Sequence, residues 1–228
     1  MKQEKQHEVL RKLVQQVGNN STLKEGLLHY GKRQEAMMKS LARCGYLTQR
    51  FAARTQWRLA IGLATGGVLE TGGLVLHRLY GFPYLPGSSL KGLALAWARL
   101  QDDDRMEKEH LKEIFGTTDA EGRAIFFDAL PAHVPTLEVD IMNPHYRDYY
   151  EKNSPPADDL SPSPIFFLTV AAGTSFTFAV ALKQRPEETP KATQALLANA
   201  VQCLKDGLKE LGVGAKTAAG YGYFEVEP

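Results

Sequence analysis

Cysteine is scarce: the 228 residues contain only Cys44 and Cys203. Two cysteines cannot make a disulfide framework or a cysteine-built metal cluster, and they suit a reducing, cytoplasmic setting. No stretch reaches the roughly 18 uncharged apolar residues of a membrane span, so no membrane partner is expected. The opening residues, MKQEKQHEVLRKL, are charged throughout and lack the apolar segment of a signal peptide. Net charge is nearly absent as well, at +1. Apolar residues are not scarce: at 43% of the chain they exclude a disordered polypeptide. A single elaborated domain is the expected organisation for this length.

The small net charge hides an asymmetry. Residues 1–58 hold 12 Lys/Arg against 4 Asp/Glu, whereas residues 101–160 hold 6 against 15. A basic front can attract a polyanion over roughly one Debye length, about 8 Å, and an acidic middle can meet a basic protein neighbour. The plainer alternative is a pair of solvated surfaces. Arg50, Arg54 and Arg58 recur at intervals of four, which reads as one face of a helix.

Apolar spacing of three and four at Leu10, Leu13, Val14 and Val17 predicts a helix over 3–17. Gly18-Asn19-Asn20 breaks it, and Ser21 or Thr22 can cap the next. A third helical stretch, 32–44, turns Met37, Met38 and Leu41 inward. Residues 1–50 thus read as a basic helical extension, and 51–228 as the main domain. Trp57, Leu59, Ile61 and Leu63 alternate with smaller or polar residues and predict a strand. Trp57 and the Phe residues of 166–178 read as core rather than as base-stacking platforms. Residues 74–80 are extended, 81–87 form a rigid turn, and Ser88 or Ser89 then caps a helix to about Leu100. A helix over 105–115 stops at Gly116. Strands follow at 124–130, 137–142, 165–170 and 175–182, the last with Phe176, Phe178, Val180 and Leu182 on one face. Between 143 and 164 lies a long polar loop with five prolines, of a length that is usually functional or disordered. A helix over 191–211 and a strand over 223–226 close the chain. The predicted fold is α+β: an antiparallel sheet with helices on one face, ferredoxin-like.

Three segments can carry chemistry. The first is the glycine-rich tail, with Gly212, Gly214, Gly220 and Gly222 around Lys216, Thr217 and Tyr221. Glycine admits positive φ and close approach of a ligand to main-chain amides, which can form an anion-binding nest. A nucleotide P-loop is excluded by order: Ala215 separates Gly214 from Lys216, and the loop follows a helix instead of a strand. An ordinary helix end and turn is the simple alternative; a loop lying along a phosphate backbone is the functional one.

The second segment is Gly87-Ser88-Ser89-Leu90-Lys91-Gly92. A helix N-terminus with two hydroxyls and Lys91 in its first turn suits a phosphate. Ser88-x-x-Lys91 also matches the penicillin-binding nucleophile motif, but no Ser-Asp-Asn occurs anywhere in the chain. Capping serines beside a solvated lysine are the simple alternative. The third segment runs from Asp140 to Asp148. Aspartate near His145 permits acid–base or metal chemistry, yet no second histidine or cysteine accompanies them, and turn chemistry at Asn143-Pro144 is favoured. On RNA, His145 and Tyr146 would stack and Arg147 would meet a phosphate.

Taken together these segments resemble a known family. TGGVLETGGLVLHRLYGFPYLPGSSLKG (65–92) looks like the signature of the RAMP proteins of CRISPR systems. LYGFPYLPGSSLKG, DIMNPHYRDYY, PIFFLTV and GVGAKTAAGYGYF are similar to those of a type III-B (Cmr) effector subunit. The resemblance covers roughly residues 57–228. It implies a ferredoxin-like RAMP fold with no cofactor and no small-molecule substrate. It further implies a structural, non-catalytic role at the end of a protein filament, near the 3′ portion of a guide RNA. The implied partners are guide RNA, target RNA and neighbouring RAMP subunits. The family's RNA-approaching loop maps onto Gly212, Gly214, Gly220 and Gly222. Two rivals remain: a RAMP endonuclease using His29, His77 or His145, and a small-molecule enzyme using Ser88 and Lys91.

Overall fold

The computed structural model describes residues 2–18, 20–63, 74–101, 108–143 and 164–227. The loop expected over 143–164, apart from its two end residues, lies outside them, as do His145, Tyr146, Arg147 and residues 68–71. Among the described residues no helix is long and apolar enough to cross a membrane.

Two helices open the chain, α1 (Lys2–Gly18) and α2 (Ser21–Arg43). The cap of α2 is Asn20, whose side chain accepts from the Leu23 amide at 3.2 Å. Asparagine one residue upstream satisfies the orphan amide that Ser21 or Thr22 was expected to take. Where spacing predicts a separate helix over 32–44, α2 runs unbroken to Arg43; Met38 is buried but Met37 is exposed. Gly26 and Gly31 weaken this helix without ending it, since tertiary packing outweighs a single glycine.

The arginine spacing has a different origin from the expected helical face. Arg50 and Arg54 lie on strand β1 (Tyr46–Thr55). A step of four keeps a residue on one face of a strand as well as of a helix, so the spacing could not separate the two. Arg50 pairs with Glu35 of α2 at 3.1 Å and Arg54 with Glu225 at 3.3 Å. The strand also straddles the division read at residue 50.

The remaining elements are α3 (Gly87–Leu100), α4 (Lys108–Phe115), β2 (Ala124–Phe126), β3 (Leu130–Pro131), β4 (Leu137–Met142), β5 (Ile165–Val170), β6 (Ser175–Lys183), α5 (Pro190–Glu210) and β7 (Phe224–Val226). The expected strand over 124–130 is split in two, and both halves pair with β6. The main sheet has the order β2-β6-β1-β7 with β3 also on β6, all pairs antiparallel. In chain order, β1-α3-β2-β6-α5-β7 is the β-α-β-β-α-β ferredoxin-like arrangement.

Period-two alternation on β6 decides what each face meets. Phe176, Phe178, Val180 and Leu182 join Leu197, Val201, Leu204 and Leu208 of α5 in the main core. Phe51 of β1 pairs with Phe178 in register and stacks on it at 5.0 Å. Full burial of each such side chain stabilises by roughly 1.5–3 kcal/mol. The other face of β6 offers Ala179 and Ala181, which pack with Met38 of α2 and Phe127. The helical layer expected on one face is therefore α3 and α5, and α2 covers part of the opposite face.

The hairpin β4–β5 is an insertion between β3 and β6. Leu59 bridges to its Val170, while Ala60 bridges to Ala215. Leu59, Ala60 and Ile61 are all buried in succession because both sides of the segment are covered. That enclosure explains why 57–63 is a bridged crossing instead of the predicted alternating strand. Residues 74–80 likewise contribute one bridge, Leu76 to Pro83, and a turn. Arg123 donates to Glu113, to Glu188 at 2.7 Å and to the Lys183 carbonyl, fastening α4 and the end of β6 together.

Candidate functional site

The chain after α5 folds into a ribbon laid on residues 58–60. Gly212, Gly214, Gly220 and Gly222 all have positive φ, from 72° to 97°. The Val213 amide donates to the Gly222 carbonyl at 2.9 Å, the Gly222 amide to Arg58 at 3.0 Å, and the Ala215 amide to Ala60 at 2.8 Å. A β-carbon on Gly214 would collide with the Ala60 carbonyl oxygen, and one on Gly222 with that of Val213. These two glycines are required by packing as well as by φ. A single 3₁₀ turn, Thr217–Ala219, forms the tip, and the amides of Ala219, Gly220 and Tyr221 return to the carbonyls of Lys216 and Thr217.

Most of the ribbon's amides are thus already bonded within the protein. Among the described residues, the amides of Gly214, Lys216, Thr217 and Ala218 donate to no main-chain carbonyl. The set of amides left without a main-chain acceptor is narrower than the four-glycine pattern suggests. It lies at the tip, where Gly214, Ala218, Ala219 and Gly220 are exposed. Lys216 sits there in the left-handed region, φ 62°, uniquely so for a non-glycine among the described residues. Its Nζ lies 5.7 Å from the centroid of the Phe167 ring. A lysine held in this unfavourable conformation is fixed by its surroundings.

Beneath the tip, Tyr221 anchors the ribbon. Its hydroxyl donates to Asp140 Oδ2 at 2.7 Å. Arg58 donates from Nη1 to the same oxygen at 3.0 Å and from Nε to Glu138 at 2.6 Å, and the Ile141 amide donates to Asp140 Oδ1 at 2.8 Å. Burial pushes the Tyr221 hydroxyl up to about 12, and its bond to Asp140 adds to this. Burial also acts to raise the Asp140 carboxyl, but the Tyr221 hydroxyl, the Ile141 amide and Arg58 outweigh it and hold the group below its ordinary range. Asp140, a candidate for acid–base or metal chemistry in the sequence, is therefore a half-buried anchor for the glycine-rich ribbon.

Trp57 departs from the expected core role. It is 43% exposed and lies beside the ribbon, its ring 4.9 Å from that of Tyr221. The Arg58 guanidinium carbon is 5.5 Å from its centroid. Phe167, Phe176 and Phe178 are buried as expected, whereas Phe166 is half-buried and stacks on His7 at 4.5 Å. Spacing did not reveal Trp57 or the Arg58–Asp140 pair. The neighbouring dipeptide Trp57-Arg58 just past a strand end is the sole signal in the sequence.

The tip of α3 is built differently from the expected serine cap. Gly87 is already helical, Pro86 is the cap residue with no side-chain bond, and the Gly87 amide donates to Asp128 Oδ1 at 2.7 Å. Ser88 and Ser89 lie inside the first turn and are exposed, with Lys91 half-buried one turn on. This tip is held at the β2–β3 edge of the sheet, while the glycine-rich ribbon lies at the β7 end, against residues 58–60. No hydrogen bond or ring contact joins them among the described residues.

Of the histidines, His29 is exposed on α2. His77 sits among Tyr30, Tyr80, Phe82 and Tyr84, and burial there holds its pKa below the ordinary value.

Residues 61–225 match the RAMP superfamily, and the chain belongs to that family. It is similar to two proteins named as the Cmr6 subunit of the CRISPR Cmr system. The Pyrococcus furiosus protein is 36% identical, over 74% of this chain and 65% of its own length. The Saccharolobus solfataricus protein is 28% identical, over 98% of this chain and 73% of its own. The chain thus spans just under two thirds of the Pyrococcus relative. Among solved structures, Cmr6 from Pyrococcus furiosus is 32% identical with a TM-score of 0.51, covering 81% of this chain and 99% of that one. A chain of a type III-B Cmr-β complex bound to cognate target RNA shares the fold, with a TM-score of 0.66 at 24% identity, over 90% of this chain and 66% of the other.

Proposed function

We propose that this chain is a non-catalytic, RNA-binding structural subunit of a type III-B CRISPR (Cmr) ribonucleoprotein effector, acting in antiviral defence in the cytoplasm. It caps the protein filament near the 3′ portion of the guide RNA and touches neighbouring RAMP subunits. The observation that carries this reading is the exposed ribbon tip, where, among the described residues, the amides of Gly214, Lys216, Thr217 and Ala218 donate to no main-chain carbonyl and Lys216 holds a left-handed backbone. The similarity to Cmr6 proteins supports the same reading.

Such a surface contacts phosphate and ribose, which position a protein on RNA without reading its letters. A subunit that holds guides of many sequences needs that indifference. Ser88, Ser89 and Lys91 at the α3 tip offer a second phosphate contact. His145, Tyr146 and Arg147 remain candidates for stacking and phosphate binding. A net charge of +1 gives the isolated chain little long-range pull on RNA, so alone it binds weakly and measurably only at low salt, and tightly within the assembly. Reconstitution without this chain tests the proposal. The expected result is a shortened or incomplete filament that loses protection of the guide's 3′ portion. A full-length, fully active complex lacking the chain would overturn it.

A further inference from the structure

We propose that Trp57 is a stacking platform for one unpaired nucleobase of single-stranded RNA at the glycine-rich ribbon; the proposal rests on the RNA-binding reading above and specifies how one nucleotide is held there.

A tryptophan in this position would ordinarily be covered. Tyr221 lies 4.9 Å away at 45°, Arg58 stands 5.5 Å from the ring centroid, and the β-position of Gly220 faces ring atoms at 3.8 and 3.9 Å. After all three, 43% of the residue remains in solvent. The ring is nonetheless held: Tyr221 is fixed by its 2.7 Å bond to Asp140, and Arg58 by two carboxylates. A large, immobilised, half-exposed indole loses little side-chain freedom when a flat partner docks on it.

Charge selects the occupant. Arg58 is engaged by both Glu138 and Asp140, so its charge is already compensated. Lys216 remains as the cation of the ribbon, against Phe167, whose ring lies 6.1 Å from that of Tyr221. One lysine and a few amides neutralise about one phosphate. An aromatic face beside a single phosphate contact fits one nucleotide: the phosphate on the tip and its base on the indole. Any base has a π-face, so this contact is as indifferent to sequence as the backbone contact is. Gly220 matters here for a second reason, since a side chain at that position would project onto the indole.

The two contacts differ in salt dependence, which provides the test. Full-length chain is titrated with a fluorescent single-stranded oligouridylate across a range of salt concentrations, with Trp97→Phe as background so that indole fluorescence reports Trp57 alone. The expected results are quenching on binding, a roughly ten-fold loss of affinity for Trp57→Ala with the salt slope unchanged, and partial recovery in Trp57→Phe. Lys216→Ala should instead flatten the slope by about 0.7. An oligomer with abasic sites should erase the difference between wild type and Trp57→Ala. Binding without quenching, with equal affinities for wild type and Trp57→Ala, would overturn the platform and leave the RNA-binding reading standing. Failure of the wild-type chain to bind at low salt would overturn both. A lower melting temperature for Trp57→Ala together with normal affinity counts as refutation, because it assigns the ring to packing.

Discussion

The Tyr221 hydroxyl donates to the Asp140 carboxylate at 2.7 Å, and through that bond the last loop of the chain is tied to the β4–β5 insertion. Asp140 is simultaneously held by Arg58, whose own carbonyl receives the Gly222 amide. Three segments distant in sequence therefore meet at one carboxylate. Tyr221→Phe leaves that carboxylate one donor short, at a cost of about 1.5–3 kcal/mol for a hydrogen bond to a charged group. The expected result is faster amide exchange confined to the ribbon, while the exchange of β6 stays slow. Uniform loosening of the whole sheet would contradict the anchoring role.

The same pair predicts two pH limits. Asp140 is held below its ordinary 3.8, so its contribution is present above that value and is lost as pH falls through the lower folded pKa. Tyr221 is raised from 10.0 to about 12, so its contribution is present below pH 10 and disappears between 10 and 12. Protection of the ribbon amides in the wild type, taken relative to the intrinsic exchange rate at each pH, should fall at both ends. Asp140→Asn should remove most of the acid-side change.

Gly222 and Gly220 both have positive φ, but only Gly222 faces a carbonyl at the β-position. Gly222→Ala should therefore destabilise clearly more than Gly220→Ala, for which left-handed strain alone costs roughly 1–2 kcal/mol. Gly220→Val should distort the tip further, because a β-branched residue tolerates positive φ poorly. Denaturant melts of the three variants give the order directly.

Arg123, with a side chain only 9% exposed, holds Glu113 and Glu188 at the opposite end of the molecule. Arg123→Ala leaves Arg185 as the remaining cation for Glu113, at 2.7 Å, and Glu188, at 3.7 Å, and should cost less than the roughly 3–5 kcal/mol of a fully broken buried pair. RNA affinity of the protein that remains folded should be unchanged, as measured at a temperature well below the melting point.

Much of the fold was legible. Strands 165–170 and 175–182 and helix 191–211 were read almost to the residue, because alternation and the three-four stripe are strong where one face is fully buried. The segments misread share a cause. Arg50 and Arg54 lie at a spacing common to helix and strand. Residues 59–61 are covered from two sides and lose their alternation. The site was legible only in outline. Glycines mark a loop that needs positive φ, but which amides stay unbonded depends on the carbonyls of Arg58 and Ala60, and those are brought in by the fold. The exposure of Trp57 has the same origin: an indole read as core becomes surface when Gly220, with no side chain, is its neighbour.

The most direct measurement is site-specific photocrosslinking from the ribbon tip, with a photoreactive side chain replacing exposed Ala218 in the fully assembled ribonucleoprotein. The expected product is a covalent adduct with guide RNA near its 3′ portion, formed regardless of spacer sequence. Crosslinks to protein neighbours alone, with none to RNA, would contradict the account.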